Sequence, residues 1–358
     1  MNKNLKLIYF LLILIINFSC IENRSAEKET GMPGLAATLS ADTLKFTSGI
    51  RAILQDSKGN YWFGSQNEGA GFYNGKTFKY FTTKEGLADN QIRSIQEDRE
   101  GVIWFDTQNG VSSYDGKTIK NHTVNENAEN EWKKTDFDLW FSAGTKQGVN
   151  KYDGQKLNYL AFPDPVTVPG GNTYAVTSFS KGKHNMQWIG TYAGVFGYNG
   201  SNMTILNNKT LGINNEQDGL HIRSTLEDSK GRLWIGNNGI GVLLKNGDAI
   251  IHFSKELGKS IPINELEANT QSRGFNKNKG LQAVFAIEED SDGNIWFGDR
   301  DSGAWKYDGK TMTNYTISHK LSQPMIWTIY KDNNNNLLFG MAGGGVYQFN
   351  GNSFDRQF

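Results

Sequence analysis

Val284-Phe285-Ala286-Ile287-Glu288-Glu289-Asp290, then Ser291-Asp292-Gly293-Asn294, then Ile295-Trp296-Phe297-Gly298 is the stretch that decides the fold. The first run is β-prone and is predicted as an innermost strand. The next four residues are a tight turn, with Gly293 free to take positive φ. The third run is a second strand, whose glycine permits close approach of a neighbouring backbone. After a short loop, Gly303-Ala304-Trp305-Lys306-Tyr307 supplies a third strand and Asp308-Gly309 a two-residue hairpin turn of the type I′ kind. Residues 310–316 make a polar outer strand suited to solvent.

The same order recurs seven times. Trp62-Phe63-Gly64, Trp104-Phe105-Asp106, Trp140-Phe141-Ser142, Trp188-Ile189-Gly190, Trp234-Ile235-Gly236, Trp296-Phe297-Gly298 and Leu338-Phe339-Gly340 are each followed by an Asx-Gly pair. Those pairs, from Asn74-Gly75 to Asn350-Gly351, lie 41, 38, 46, 47, 62 and 42 residues apart. A period of about 40–45 residues with several short strands marks a propeller blade. The expectation is an all-β chain, a seven-bladed β-propeller over 46–358 with four antiparallel strands per blade. The third repeat is the most degenerate: its inner strand is indistinct between His122 and Phe137, and Trp140 lacks its glycine. A single blade cannot bury both its faces, whereas radial stacking covers them and leaves short edges. The recurring tryptophans are therefore read as bulk between blades, not as ligand platforms.

The ends carry other information. Lys3 and Lys6 precede an apolar run from Leu7 to Phe18, too short for a comfortable membrane span, and then Ser19 and Cys20. This segment resembles a bacterial lipoprotein signal, with Asn17 where that pattern usually has Leu. The resemblance implies removal of 1–19 and lipidation of Cys20, the only cysteine in the chain. Residues 20–45 are polar and small, too poor in apolar area to offset their ordering entropy, and are read as a flexible tether. The expected location is the bacterial cell envelope, periplasmic or cell-surface, with the membrane met only through the N-terminal lipid. Without residues 1–19 the chain has 35 basic and 37 acidic residues. That balance excludes the concentrated basic face a nucleic-acid surface needs.

The pattern Glu-Asp-x-x-Gly-x-Ile-Trp-Phe-Gly, then Gly-x-x-x-Tyr-Asp-Gly-Lys, resembles the two-component regulator propeller repeat. Gly86-Leu87-Ala88-Asp89-Asn90-Gln91-Ile92 matches the fuller form of its opening. The resemblance covers 46–358. It implies the periplasmic sensor part of hybrid histidine kinases of Bacteroidetes-type bacteria, whose ligands are often glycan fragments. Such sensors normally carry fourteen repeats, an immunoglobulin-like module, a membrane helix and a kinase. Seven repeats alone imply the ligand-sensing part without the kinase.

A site is expected on the channel face. Arg51, Arg93 and Arg223 stand at one blade position in three repeats, and Phe285 and Trp327 fill it in the last two. Guanidinium pairs carboxylate or sulfate and rings stack on sugar faces, so these residues suit an acidic or sulfated sugar. The competing reading pairs each arginine with a nearby acid. Tyr192 and Arg300, on loops between second and third strands, are further candidates, and the insertion from Glu256 to Gly280 is expected on the same side. No cofactor is expected. Asp290-Ser291-Asp292-Gly293-Asn294 imitates a calcium loop, but Asp301 stands where the twelfth-position Glu belongs. His122, His184, His221, His252 and His319 show no zinc spacing. The leading reading is binding of a small molecule or oligosaccharide. The alternatives are an adaptor for an envelope sensor or transport protein and, through resemblance to streptogramin-lyase-like propellers, an enzyme using His221 or His319.

Overall fold

The computed structural model describes residues 43–129, 131–164, 173–211, 220–256, 280–317 and 324–358. Cys20, His319 and nearly all of the insertion after Glu256 lie outside them. Seven separate antiparallel sheets follow one another along the chain, at 50–81, 92–122, 139–161, 176–207, 222–251, 284–315 and 326–356. They are blades 1 to 7 in that order. In each, consecutive strands are hydrogen-bonded neighbours, so every blade is one uninterrupted stretch of sequence.

The Glu-Asp motif builds the turn between first and second strands. Asp290 Oδ1 accepts the N–H groups of Asp292 (3.0 Å) and Asn294 (2.9 Å), and Oδ2 accepts Trp296 Nε1 (2.8 Å). Asp56–Trp62, Asp98–Trp104 and Asp228–Trp234 repeat the ring bond at 3.0, 2.8 and 2.8 Å. Asp290 is thereby committed to its own blade, which accounts for the calcium-like spelling. The preceding glutamate reaches backwards: Glu97 accepts the N–H and hydroxyl of Ser57 at 2.7 and 2.6 Å, tying blade 2 to blade 1. The outer turn differs from the type I′ expectation. Strand pairing stops at Tyr307 and Met312, and of the residues between them only Gly309 takes positive φ, whereas type I′ requires two. Asp308 Oδ1 closes the turn by accepting Lys310 N (2.8 Å) and Thr311 N (2.7 Å).

The ring closes by packing, not by exchange of a strand. Ile50, Ile53 and Phe63 of blade 1 share a buried cluster with Leu338 and Val346 of blade 7. Tyr61 donates to Asp332 Oδ2 (2.7 Å), the aspartate whose own blade has Leu338 in place of tryptophan. The Phe358 ring lies 4.8 Å from that of Phe63. Leu44, assigned to the tether above, is buried in this cluster, so the packed chain begins slightly earlier than 46.

Six blades have the expected four strands; among the described residues the third has three, Leu139–Ser142, Gly148–Tyr152 and Leu157–Ala161. The preceding segment is used elsewhere. Asn125 bridges Asn158 at the outer edge, and Trp132 packs on Trp140 and Phe162 while donating Nε1–H to Ala161 O (3.0 Å). Side chains from blade 2 replace the missing strand. Gln96 Nε2 donates to Trp140 O (2.8 Å), and Asp106 Oδ2 accepts Ser142 N–H (2.9 Å).

This explains why Asp106 stands where most repeats have glycine. A Cβ on Gly64 would fall 2.6 Å from Ile92 Cγ2, and one on Gly298 2.7 Å from Ile326 Cγ2, because the next blade's inner strand leans on each. Blade 3 brings no such strand against blade 2, and a side chain fits. Gly298→Ala is expected to cost about 1–3 kcal/mol in urea unfolding through overpacking, whereas Asp106→Gly meets no clash and loses only the bond to Ser142.

Candidate functional site: the mouth of the central channel

Every inner strand present carries a register irregularity at its first turn of pairing, between Ile50/Ala52, Ile92/Ser94, Val176/Ser178, Ile222/Ser224, Val284/Ala286 and Ile326/Thr328. The skipped residues are Arg51, Arg93, Thr177, Arg223, Phe285 and Trp327. A bulged residue leaves the ladder and its side chain is re-aimed. All six line one cavity of about 960 Å³, together with Tyr192 and the 142–146 segment of blade 3. Six of the seven residues expected from sequence therefore come together.

Arg300 does not join them. Its guanidinium is held by Asp301 at 2.8 and 2.7 Å and by Asn238 Oδ1 at 3.2 Å, and it is absent from the cavity wall. An adjacent acid satisfies it, a pairing that spacing alone does not reveal.

The rings and cations alternate around the mouth. Arg223 Cζ lies 5.3 Å from the Tyr192 centroid and 4.8 Å from Phe285. Phe285 meets Trp327 edge-on at 5.3 Å, and Arg51 Cζ lies 4.8 Å over Trp327. Cation–π contact orients each guanidinium without neutralising it. The hydrogen-bond partners of Arg51 and Arg93 are neutral. Arg51 Nη1 donates to Gln66 Oε1 (3.1 Å), and Arg93 donates to Ser142 Oγ (2.9 Å) and to Gln108 Oε1. Among the described residues neither forms an ion pair. Burial, then the charges of Arg93 and Arg223, pull Arg51 down to about 10. The mouth thus holds concentrated positive charge in a recess, where screening is weak.

Two carboxyls share the cavity. Burial pushes Asp106 up to about 7, against the opposing effects of the Ser142 N–H, Arg93 and Arg51. Burial likewise pushes Glu288 up to about 7, partly offset by the Glu289 N–H and Lys331. Folded chains then hold protons that unfolded chains have released between roughly pH 4 and 7. The associated stability is complete below the ordinary carboxylate range and lost as pH rises through 7. Urea midpoints should therefore fall between pH 4.5 and 7.5, and the Asp106→Asn, Glu288→Gln double variant should flatten that slope.

Asp106, Gln96, Ser142 and Glu288 were not singled out from sequence. Of these, Asp106 and Ser142 left a signal, each by breaking the glycine rule. His221 takes φ of 49° and is buried, with Nε2 accepting from Arg223 Nη2 (2.7 Å) and the Asn238 side chain 3.4 Å from Nδ1. Its ring lies tilted against that of Tyr192 (4.9 Å) and does not line the cavity.

The model of the two component regulator propeller matches residues 45–67, 86–109, 216–239 and 280–301, in blades 1, 2, 5 and 6. No curated protein matches the sequence. Among solved structures, the chain is similar to the extracellular domain of a protein described as a hybrid two component system of B. thetaiotaomicron. Identity there is 22%, the TM-score is 0.62, and coverage is 87% of this chain and 40% of that one. A second such domain of B. thetaiotaomicron gives 20%, 0.60, 86% and 39%. A catalytically inactive virginiamycin B lyase of Staphylococcus aureus with quinupristin gives 14%, 0.61, 85% and 96%. These likenesses establish a shared fold, and the chain spans about two fifths of the extracellular domains it matches. The repeat model of the two component regulator propeller thus matches the first and second strands of four blades in a seven-bladed ring.

Proposed function

We propose that the chain is an envelope ligand-binding propeller of the sensor type, which takes an acidic glycan fragment or similar small anion at the channel mouth without turning it over. The observation that carries this reading is the set of three bulged arginines in one recess with Phe285 and Trp327, two of them bonded only to neutral groups. Guanidinium supplies bidentate pairing to a carboxylate or sulfate, and the rings supply a face for a sugar. Binding without turnover is favoured because His221 is already engaged by Arg223 of the mouth and by Asn238. A protein partner is less well supported: Phe137 is the single large apolar side chain left exposed among the described residues. An extracellular placement follows the sensor domains of similar fold and the lipoprotein-like start of the sequence.

A thermal-shift screen of the purified chain tests the reading, since selective binding to the folded state raises apparent stability. Uronate and sulfated oligosaccharides should raise the midpoint and neutral ones of equal length should not; the reverse order would overturn the proposal. Lipidation of Cys20 is the second part of the reading. Cells fed labelled palmitate should label the wild-type chain and not Cys20→Ala, and equal labelling of both would remove the anchor.

A further inference from the structure

Resting on that reading of the mouth, we propose that Glu288 forms a second subsite deeper in the channel, so that the ligand is an acidic oligosaccharide held end-on. Its acid group lies between Arg51 and Arg93, and hydroxyl groups of a further sugar unit meet the Glu288 carboxyl.

Glu288 lines the same cavity as the arginines. It follows Phe285 by three residues on the inner strand Val284–Glu289, which sets it about 10 Å down the channel at the usual strand rise. A single sugar ring at the mouth does not reach it. The cavity of about 960 Å³ also stands at the upper end of the usual range for small-molecule sites.

The Glu288 carboxyl is not spent on the fold. Its one hydrogen bond among the described residues accepts the N–H of the adjacent Glu289 at 3.0 Å. The nearby ammonium of Lys331 donates to Glu289 O (2.8 Å) instead. The matching positions, opposite Trp62 and Trp234, hold Leu54 and Leu226, so the ring accepts an aliphatic side chain there. Blades 2, 4 and 7 place Gln96, Ser180 and Tyr330 there, so the position requires no carboxyl, and a recessed one costs desolvation. With its proton held up to about pH 7, it both donates and accepts near neutrality, which matches sugar hydroxyls.

The test is calorimetric titration of the full chain with galacturonate and with its linear trimer. Wild type should bind the trimer at least about ten-fold tighter than the monomer, as one or two added hydrogen bonds allow. Glu288→Leu, which copies blades 1 and 5, should bring the trimer close to the monomer and leave the monomer unchanged. Glu288→Gln, which keeps a donor and an acceptor, should restore most of the difference. Arg93→Ala should weaken both probes alike. If Glu288→Leu keeps the wild-type ratio, the second subsite is wrong while the arginine response still supports the mouth. If neither probe binds wild type, both readings fall.

Discussion

Trp296→Ala should lower unfolding free energy by about 3–5 kcal/mol in urea at neutral pH, and Trp234→Ala by a similar amount. Trp296 is 1% exposed and packs between blades 6 and 7, with ring centroids of Phe349 at 4.8 Å and Phe339 at 5.5 Å. Trp234 is fully buried against Phe253 and Phe297 at 4.9 and 5.6 Å. Truncation opens a cavity between two rigid sheets that cannot collapse onto it. It also strips one donor from Asp290 Oδ2 or Asp228 Oδ2, which keep Asn294 Nδ2 and Arg232 Nε respectively. Neither ring lines the channel cavity. Ligand affinity measured well below the lowered midpoint should therefore match wild type. A loss under about 1 kcal/mol for either variant would contradict the core assignment.

Arg51→Ala and Arg93→Ala should each weaken an acidic ligand by about 1.5–3 kcal/mol, the range for a hydrogen bond to a charged group. Fold should be little affected, because both side chains rest on neutral partners and Arg51 is already disfavoured by its neighbours' charge. Lysine at either position should recover only part of the loss, since a point charge does not reproduce a planar fork. Added salt should weaken binding clearly but incompletely, as a recessed pair is screened less than an exposed one. Arg300→Ala serves as the contrast. Its guanidinium is occupied by Asp301, so affinity should stay at the wild-type value. Unchanged binding in both Arg51→Ala and Arg93→Ala would move the site away from the mouth.

Repetition made the architecture legible. One Trp-Phe-Gly step is a weak signal, but seven in phase with Asx-Gly turns fix blade number and the direction of each strand. The same phase brought Arg51, Arg93, Arg223, Phe285 and Trp327 to one level, because the inner strands share a bulge at that residue. What was illegible lies where a repeat departs from its neighbours. The strand missing from blade 3 depends on Trp132 preferring a pocket formed by Trp140, Phe162 and Tyr198, a tertiary contact with no local pattern. Asp106 and Gln96 could be understood only once that strand was known to be absent. Arg300 stands apart from the cavity for a related reason, since its partner Asp301 is decided by loop geometry. Even so, the broken glycine rule at Asp106 and the lost glycine at Ser142 were both in view, and both border the blade that differs.

The most direct test compares an acidic trisaccharide with its carboxyl-reduced, neutral counterpart by titration against wild type and the Arg51→Ala, Arg93→Ala double variant. Sugar stacking is the same for both ligands, so the difference between them isolates the charge. Wild type is expected to prefer the acid by at least about ten-fold, and the double variant to bind the two alike. Equal affinities in wild type, or a preference that survives loss of both arginines, would contradict an anion site at the channel mouth.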